Sequence, residues 1–237
     1  MGEWLAVGDT GHQVYLARPA GGTGPGVLVL HAWWGLTPVF THICDELAAH
    51  GYVALAPSLF PDGATAQTIP EAEALRDGQD EEAVVRPVLL ASADLLRSLP
   101  GVSPAPLAVI GFSLGAYWAF HLSQVRPEEI GAVVVFYGAG EGNFRETRAA
   151  YLGHFAEQDP YEDLAYVRDL EQDIRAAGRE VTFHVYPGLK HWFVEPNRPE
   201  YDAAAAGLAW ERTYEFLATS AASAGQASGD QPGQSRA

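Results

Sequence analysis

The stretch Leu107-Ala108-Val109-Ile110-Gly111-Phe112-Ser113-Leu114-Gly115-Ala116 constrains this chain more than any other. An apolar run feeds into Gly-x-Ser-x-Gly, and a helix-forming run over 116–122 follows. A strand, a sharp turn and a helix in that order give the short motif meaning. The turn forces its central residue into strained backbone, and small neighbours must leave it room. Gly111 and Gly115 supply that room, so the Ser113 side chain is expected to stand clear at the strand's end. The amide of Leu114 opens the next helix, where free N–H groups and the positive dipole end favour an anion. The motif taken alone also fits a tight turn with an idle serine, so the rest of the chain has to decide.

That remainder alternates between apolar runs and helical patterns. Strands are expected at 3–7, 13–18, 27–30, 52–56, 107–110, 132–136, 149–155 and 181–186. The first two form a hairpin around Gly8-Asp9-Thr10-Gly11. Helices are expected at 38–50, with Thr37 as N-cap and Pro38 at the first position, and at 163–177 and 199–218. Residues 71–99 read as mostly helical, broken near Asp77-Gly78, with a kink or late start at Pro87. The inner strands are continuously apolar, as strands covered on both faces must be. The predicted class is α/β, with a mostly parallel central sheet flanked by helices on both faces. Residues 1–219 form a single domain with an N-terminal β-hairpin (3–18). Residues 220–237, with little apolar content beyond 225, read as a disordered tail.

With 237 residues, the chain suits one such domain. Thirty Asp and Glu against 14 Lys and Arg give a formal charge of −16, which argues against nucleic acid and anionic membrane as partners. Cys44 is the sole cysteine, which rules out an intramolecular disulfide and reads as a core thiol. There is neither a secretory signal pattern nor an apolar run long enough to span a membrane, so the expected location is cytoplasmic. Whether the protein is a monomer or a homodimer is not decidable from the sequence.

A serine hydroxyl is a weak nucleophile until a general base takes its proton, and the base needs an orienting carboxylate. Behind a strand–elbow–helix unit the chain order is serine, acid, histidine. His191 meets the last requirement: it follows the strand ending at Tyr186 and the turn Pro187-Gly188. His121 lies on the helix after the elbow, and His154 and His184 fall inside strands. The acid is Asp159 or Glu157, both in the loop after the strand at 149–155. Asp159 is favoured as the shorter, stiffer side chain, placed before a proline that keeps its backbone extended. The second oxyanion donor is expected from His31-Ala32-Trp33-Trp34-Gly35, with the Trp33 amide as candidate beside that of Leu114. Pocket-wall candidates are Trp34, Phe60, Tyr137, Trp192 and Phe193, though Trp34, Phe60, Tyr137 and Phe193 taken singly fit a core position better than a ligand contact. No metal or other cofactor is expected, since no metal-binding or phosphate-binding motif is present.

Six stretches in this order resemble the dienelactone hydrolase family of α/β-hydrolases: His31-Ala32-Trp33-Trp34-Gly35-Leu36, Gly51-Tyr52-Val53-Ala54-Leu55-Ala56-Pro57, the serine elbow, Phe136-Tyr137-Gly138, Gly153 through Asp159, and Tyr186-Pro187-Gly188 through Phe193. Ala209-Trp210-Glu211-Arg212-Thr213 is similar to the family's last helix. The resemblance implies an α/β-hydrolase fold without a large lid domain. It implies a nucleophile at Ser113, an acid at Asp159 and a base at His191. It further implies oxyanion donors at Trp33 and Leu114, with Tyr137 bordering the pocket. Three departures stand out. Ser113 replaces the cysteine of the best-known members. Ala32 stands where they carry a glutamate that sets the cysteine's state, and Glu195 where an arginine binds a substrate carboxylate. The expected activity is therefore that of a serine hydrolase cleaving a small neutral ester or lactone. A thioesterase, amidase or perhydrolase with the same triad, and a catalytically silent binding protein on this fold, are the alternatives.

Overall fold

The computed structural model describes residues 2–8 and 10–229. Eight strands form one sheet: β1 (Glu3–Ala6), β2 (Gln13–Ala17), β3 (Gly26–Leu30), β4 (Val53–Pro57), β5 (Leu107–Phe112), β6 (Ile130–Phe136), β7 (Ala150–Ala156) and β8 (Val181–Tyr186). Their spatial order is β1-β2-β4-β3-β5-β6-β7-β8. The hairpin β1–β2 joins β4 antiparallel, and every later pairing is parallel. Among the described residues the α-helices are α1 (Pro38–Ala49), α2 (Ile69–Asp77), α3 (Arg86–Ser98), α4 (Leu114–Val125), α5 (Leu164–Ala176) and α6 (Ala203–Gly229).

The apolar strands are buried on both faces because successive side chains point opposite ways. Val27, Val29, Ile110, Phe112, Val134 and Phe136 join one core with Phe40, Ile43 and Leu47 of α1 and Ala206, Ala209 and Leu217 of α6. Leu28, Leu30, Val109, Val133 and Val135 join the other, under α3, α4 and α5. Trp118, Phe120 and Leu122 supply the α4 contribution to that second core. Cys44 is buried in the first core, and burial pushes its thiol well up from the ordinary range. The predicted α/β architecture with helices on both faces is the one observed.

Local differences have local causes. The break after α2 falls at Gly78, and a π-helical turn at Glu81–Val85 leads into α3, so that Pro87 lies in the first turn of α3. The π-helical turn and the proline meet at that junction, so the late start of α3 falls at Pro87. Thr37 precedes α1 in extended conformation, but its side chain makes no capping bond. The terminal helix starts at Ala203 rather than 199, with Asp202 Oδ1 accepting from Ala205 N (2.9 Å). It runs to Gly229, through part of the stretch read as tail, because its alanines favour helix even without apolar content. The remainder of that tail and Asp9 of the hairpin turn lie outside the described residues. Among the described residues, no helix is long and apolar enough to cross a membrane.

Candidate active site

The parallel register brings the carboxyl ends of β3, β5, β6, β7 and β8 to one edge of the sheet. Leu30 pairs with Gly111, Phe112 with Phe136, Phe136 with His154, and Ala156 with Tyr186. The loops leaving those strands carry Trp33, Ser113, Tyr137, Asp159 and His191. Ligand sites of open parallel sheets form at such an edge.

Ser113 lies between β5 and α4 with φ 50° and ψ −113°. Its N–H donates to the Phe136 carbonyl (2.9 Å), and its carbonyl accepts from Ala116 N (2.8 Å). The flanking glycines are required by close backbone approach. A Cβ on Gly111 would strike the Gly115 carbonyl and come within 2.7 Å of Ala116 Cα. One on Gly115 would strike the Leu30 carbonyl and lie 2.7 Å from the His31 oxygen. The loop after β3 therefore packs directly on the elbow. Non-glycine residues with positive φ are Asp62, Ser113, Tyr137 and Trp192 among the described residues, and the last three all lie at this edge. Strain of this kind costs of order 1–3 kcal/mol per residue and persists where surrounding contacts enforce it.

His191 joins three elements. Its Nδ1 donates to Asp159 Oδ2 at 2.7 Å, and its Nε2 lies 3.0 Å from Ser113 Oγ, placed to accept the hydroxyl proton. The His191 and Asp159 side chains are 3% and 1% exposed. The second oxygen of Asp159 accepts from Tyr161 N (2.9 Å) and Glu162 N (3.2 Å), which fixes the carboxylate from both sides. Glu157 is turned elsewhere and accepts from Gly188 N (2.8 Å). Of the other late histidines, His154 bonds Tyr186 Oη (2.9 Å) and Thr213 Oγ1 (3.1 Å). His121 packs edge-on against Trp118 within α4, and His184 lies against His154.

The two oxyanion candidates lie on the loop and helix beside Ser113. Leu114 opens α4, where first-turn amides have no carbonyl one turn back. No backbone carbonyl among the described residues accepts from Trp33 N–H. Sequence reasoning passed over the residue that braces this loop. His31 is fully buried; its Nδ1 donates to Ala32 O (2.6 Å) while its Nε2 accepts from Leu59 N (3.0 Å). The imidazole thus ties the loop after β3 to the loop after β4. Burial lowers its pKa to about 4, keeping it neutral in that bridging role.

The five wall candidates divide between a hollow and the core. A hollow of ≈ 470 Å³ opens beside His191, lined by Ile69, Gln158, Pro160, Tyr161, Lys190, Trp192 and Glu200. Of the five expected wall residues only Trp192 lines it. Phe60 and Phe193 are fully buried, and Trp34 and Tyr137 are core residues as well. The reason is packing: Phe60 lies against His31, Phe193 against Tyr186, and Trp34 between Trp33 and Trp192. Tyr137 instead supports His191, with ring centroids 4.8 Å apart, and its hydroxyl donates to buried Glu195 (2.8 Å). Tyr161, missed from the sequence, presents its ring to His191 at 4.9 Å and to Trp33 at 5.5 Å. Ile69 reaches the rim because Thr68 and Glu71 form a reciprocal capping box that starts α2 there. Among the described residues, no group of His, Cys, Asp and Glu is arranged to hold a metal ion.

The profile of the dienelactone hydrolase family matches residues 12–221. The chain belongs to that family. Its relatives include "Protein usf" of Aquifex pyrophilus, 31% identical, with 92% of this chain and 98% of the relative covered. Another is the "Putative carboxymethylenebutenolidase" of Aquifex aeolicus (strain VF5), 29% identical over 92% of this chain and 99% of the relative. Among solved structures, a dienelactone hydrolase-like promiscuous phosphotriesterase, P91, from metagenomic libraries superposes with a TM-score of 0.81 at 21% identity. That match covers 92% of this chain and 97% of P91, and places the sheet and its helices in the fold expected of the family. The family is one of ester and lactone hydrolases, and the chain is a member of it.

Proposed function

We propose that this protein is a serine hydrolase that cleaves a small neutral ester or lactone through an acyl-enzyme on Ser113. The observation carrying the proposal is the continuous chain from Ser113 Oγ through His191 to Asp159, at 3.0 and 2.7 Å, on a strained elbow. As Ser113 attacks the substrate carbonyl, His191 Nε2 takes its proton. Asp159, acceptor-only and held by two backbone amides, keeps the imidazole in the Nδ1–H tautomer and stabilises the imidazolium that forms. The amides of Leu114 and Trp33 receive the oxyanion, and loss of one such donor typically lowers turnover about a hundredfold to a thousandfold. His191 returns the proton to the leaving alkoxide, then activates water to release the acid. The serine fits Ala32: an oxygen nucleophile activated by His191 has no need of a neighbouring carboxylate to set its charge.

A neutral substrate fits the charges around the hollow. Lys190 and Glu200 lie on its wall as one cation and one anion, and Glu195 is buried with Arg198 nearby, its carboxylate bonded to the Tyr137 hydroxyl. The lactone half of the proposal draws on relatives whose names describe a butenolidase and a lactonase. Incubation with a fluorophosphonate probe, followed by peptide mass spectrometry, tests the reading. An adduct on Ser113 is expected, together with hydrolysis of p-nitrophenyl acetate that Ser113→Ala abolishes and His184→Ala leaves largely intact. Folded protein that shows no Ser113 adduct would sink it, and comparable loss in both variants would reassign the base.

A further inference from the structure

Glu195 is a fully buried carboxyl that the proposed reaction does not use. Its Oε1 accepts from the Tyr137 hydroxyl at 2.8 Å. Its Oε2 lies 3.9 Å from Arg198 Nε, beyond hydrogen-bond reach. The Arg198 guanidinium is drawn to the Trp34 ring, 3.3 Å from its centroid. Glu195 also sits in a backbone turn that begins next to the general base, its N–H donating to Trp192 O at 2.9 Å. Tyr137, at the other end of the bond, has φ 38°, and its N–H donates to His154 O (2.7 Å). The residue after it, Gly138, packs so closely that a Cβ there would lie 2.9 Å from Ser113 Cα. Tyr137 thus touches the base with its ring, while the glycine that follows it abuts the nucleophile. Its hydroxyl is pinned by a carboxyl on the loop of the base.

We propose that Glu195 is a positioning residue for the triad, holding the Tyr137 ring against His191 and so fixing the imidazole relative to Ser113. The inference rests on the serine-hydrolase reading of the site. Among the described residues the side-chain hydrogen bond of Glu195 is to Tyr137 and none runs to Ser113 or Asp159, so it acts through Tyr137 and not as an acid or base. The bond is strong when Glu195 is ionised, since charge-assisted hydrogen bonds are roughly twice as strong as neutral ones. Burial pushes the Glu195 carboxyl up to about 7, opposed by the Tyr137 bond and the Arg198 charge and reinforced by Glu200. Asp159 also acts on the Tyr137 hydroxyl from the far side. The Trp34 face contributes no charge. A carboxyl titrating there weakens its hold on Tyr137 as it takes up its proton, and the general base must itself be unprotonated to act. The acid limb of kcat/KM therefore reflects two protons.

The test measures kcat/KM for p-nitrophenyl acetate from acid to mildly alkaline pH in wild type, Glu195→Gln and Tyr137→Phe. Alongside it, NMR follows the His191 ring in histidine-labelled protein, which reads the coupling without turnover. Wild type should lose more than about tenfold per pH unit over part of its acid limb, while Glu195→Gln, which keeps an acceptor but cannot ionise, should lose about tenfold per unit. Glu195→Gln should lower kcat about three- to tenfold at pH 8, with KM changed less than about twofold. In wild type the His191 resonance should shift in two steps, in Glu195→Gln in one. Tyr137→Phe should also give a single-proton limb. Parallel single-proton limbs and a single NMR step in wild type would overturn the inference. Absence of turnover together with absence of Ser113 labelling would sink the hydrolase reading instead, and the NMR titration would still decide whether Glu195 acts on His191.

Discussion

Replacing Asp159 by asparagine separates orientation of the base from integrity of the fold. Asp159 Oδ1 accepts two backbone amides, Tyr161 N and Glu162 N. Asparagine must put its oxygen there, because an NH₂ group would face two donors. Its NH₂ then occupies the Oδ2 position, 2.7 Å from His191 Nδ1. Two donors cannot share that contact, so the ring moves its proton to Nε2 and accepts at Nδ1. Nε2–H now points at Ser113 Oγ and can no longer take a proton. The same change in a Ser-His-Asp triad on another fold lowers turnover about ten-thousandfold, equivalent to about 5.5 kcal/mol of lost transition-state stabilisation. The turn at 159–162 keeps both acceptor bonds, so stability should change by less than about 0.5 kcal/mol. Asp159→Ala loses those bonds too and should destabilise by about 1–2 kcal/mol. Glu157→Gln, whose amide oxygen still accepts from Gly188 N, should lower activity less than about threefold. Steady-state hydrolysis of p-nitrophenyl acetate and thermal melts on the three variants make the comparison. Folded Asp159→Asn retaining more than about a tenth of wild-type kcat/KM, or Glu157→Gln losing more than Asp159→Asn, would refute the reasoning.

Other perturbations probe the supports of the site. Gly115→Ala drives a Cβ into the Leu30 and His31 carbonyls, where only backbone could yield. It should destabilise by about 3 kcal/mol or more, and a urea midpoint shift corresponding to under about 1 kcal/mol would count against that packing argument. His31, with its pKa lowered to about 4, stays neutral when folded while the unfolded chain takes up a proton below about pH 6.5. Stability should therefore fall as pH drops from about 6.5 to 4, by about 3 kcal/mol from this group, and level off below. The stability deficit of His31→Gln relative to wild type should narrow by about that amount over the same window, and a constant deficit in denaturant titrations would contradict it. Tyr161→Ala, which removes the aromatic wall beside His191, should raise KM for an aryl ester such as phenyl acetate about three- to tenfold more than for an alkyl ester such as ethyl acetate. Equal effects on both would place the substrate elsewhere.

Much of this architecture is legible in the chain because it is local. The apolar runs at 27–30, 107–110 and 132–136 have the length and continuity of strands covered on both faces. Gly111 and Gly115 mark a turn that admits no Cβ, and the order of serine, acid and histidine follows from where the strands end. Tertiary structure decides what depends on loop direction and register. Glu157 and Asp159 are two residues apart in one loop, and only the fold shows that one carboxylate meets Gly188 N and the other His191. Phe60 and Phe193 also fit pocket walls by composition, yet they fill the core, while Tyr161, on a connecting segment without a periodic signal, and Ile69, at the first position of α2, reach the hollow. The bond from Tyr137 to Glu195 spans 58 residues and leaves no pattern in either segment. Local propensity and apolar periodicity are written in neighbouring residues. A hydrogen bond between loops is written nowhere until the sheet's register has set their strand ends side by side.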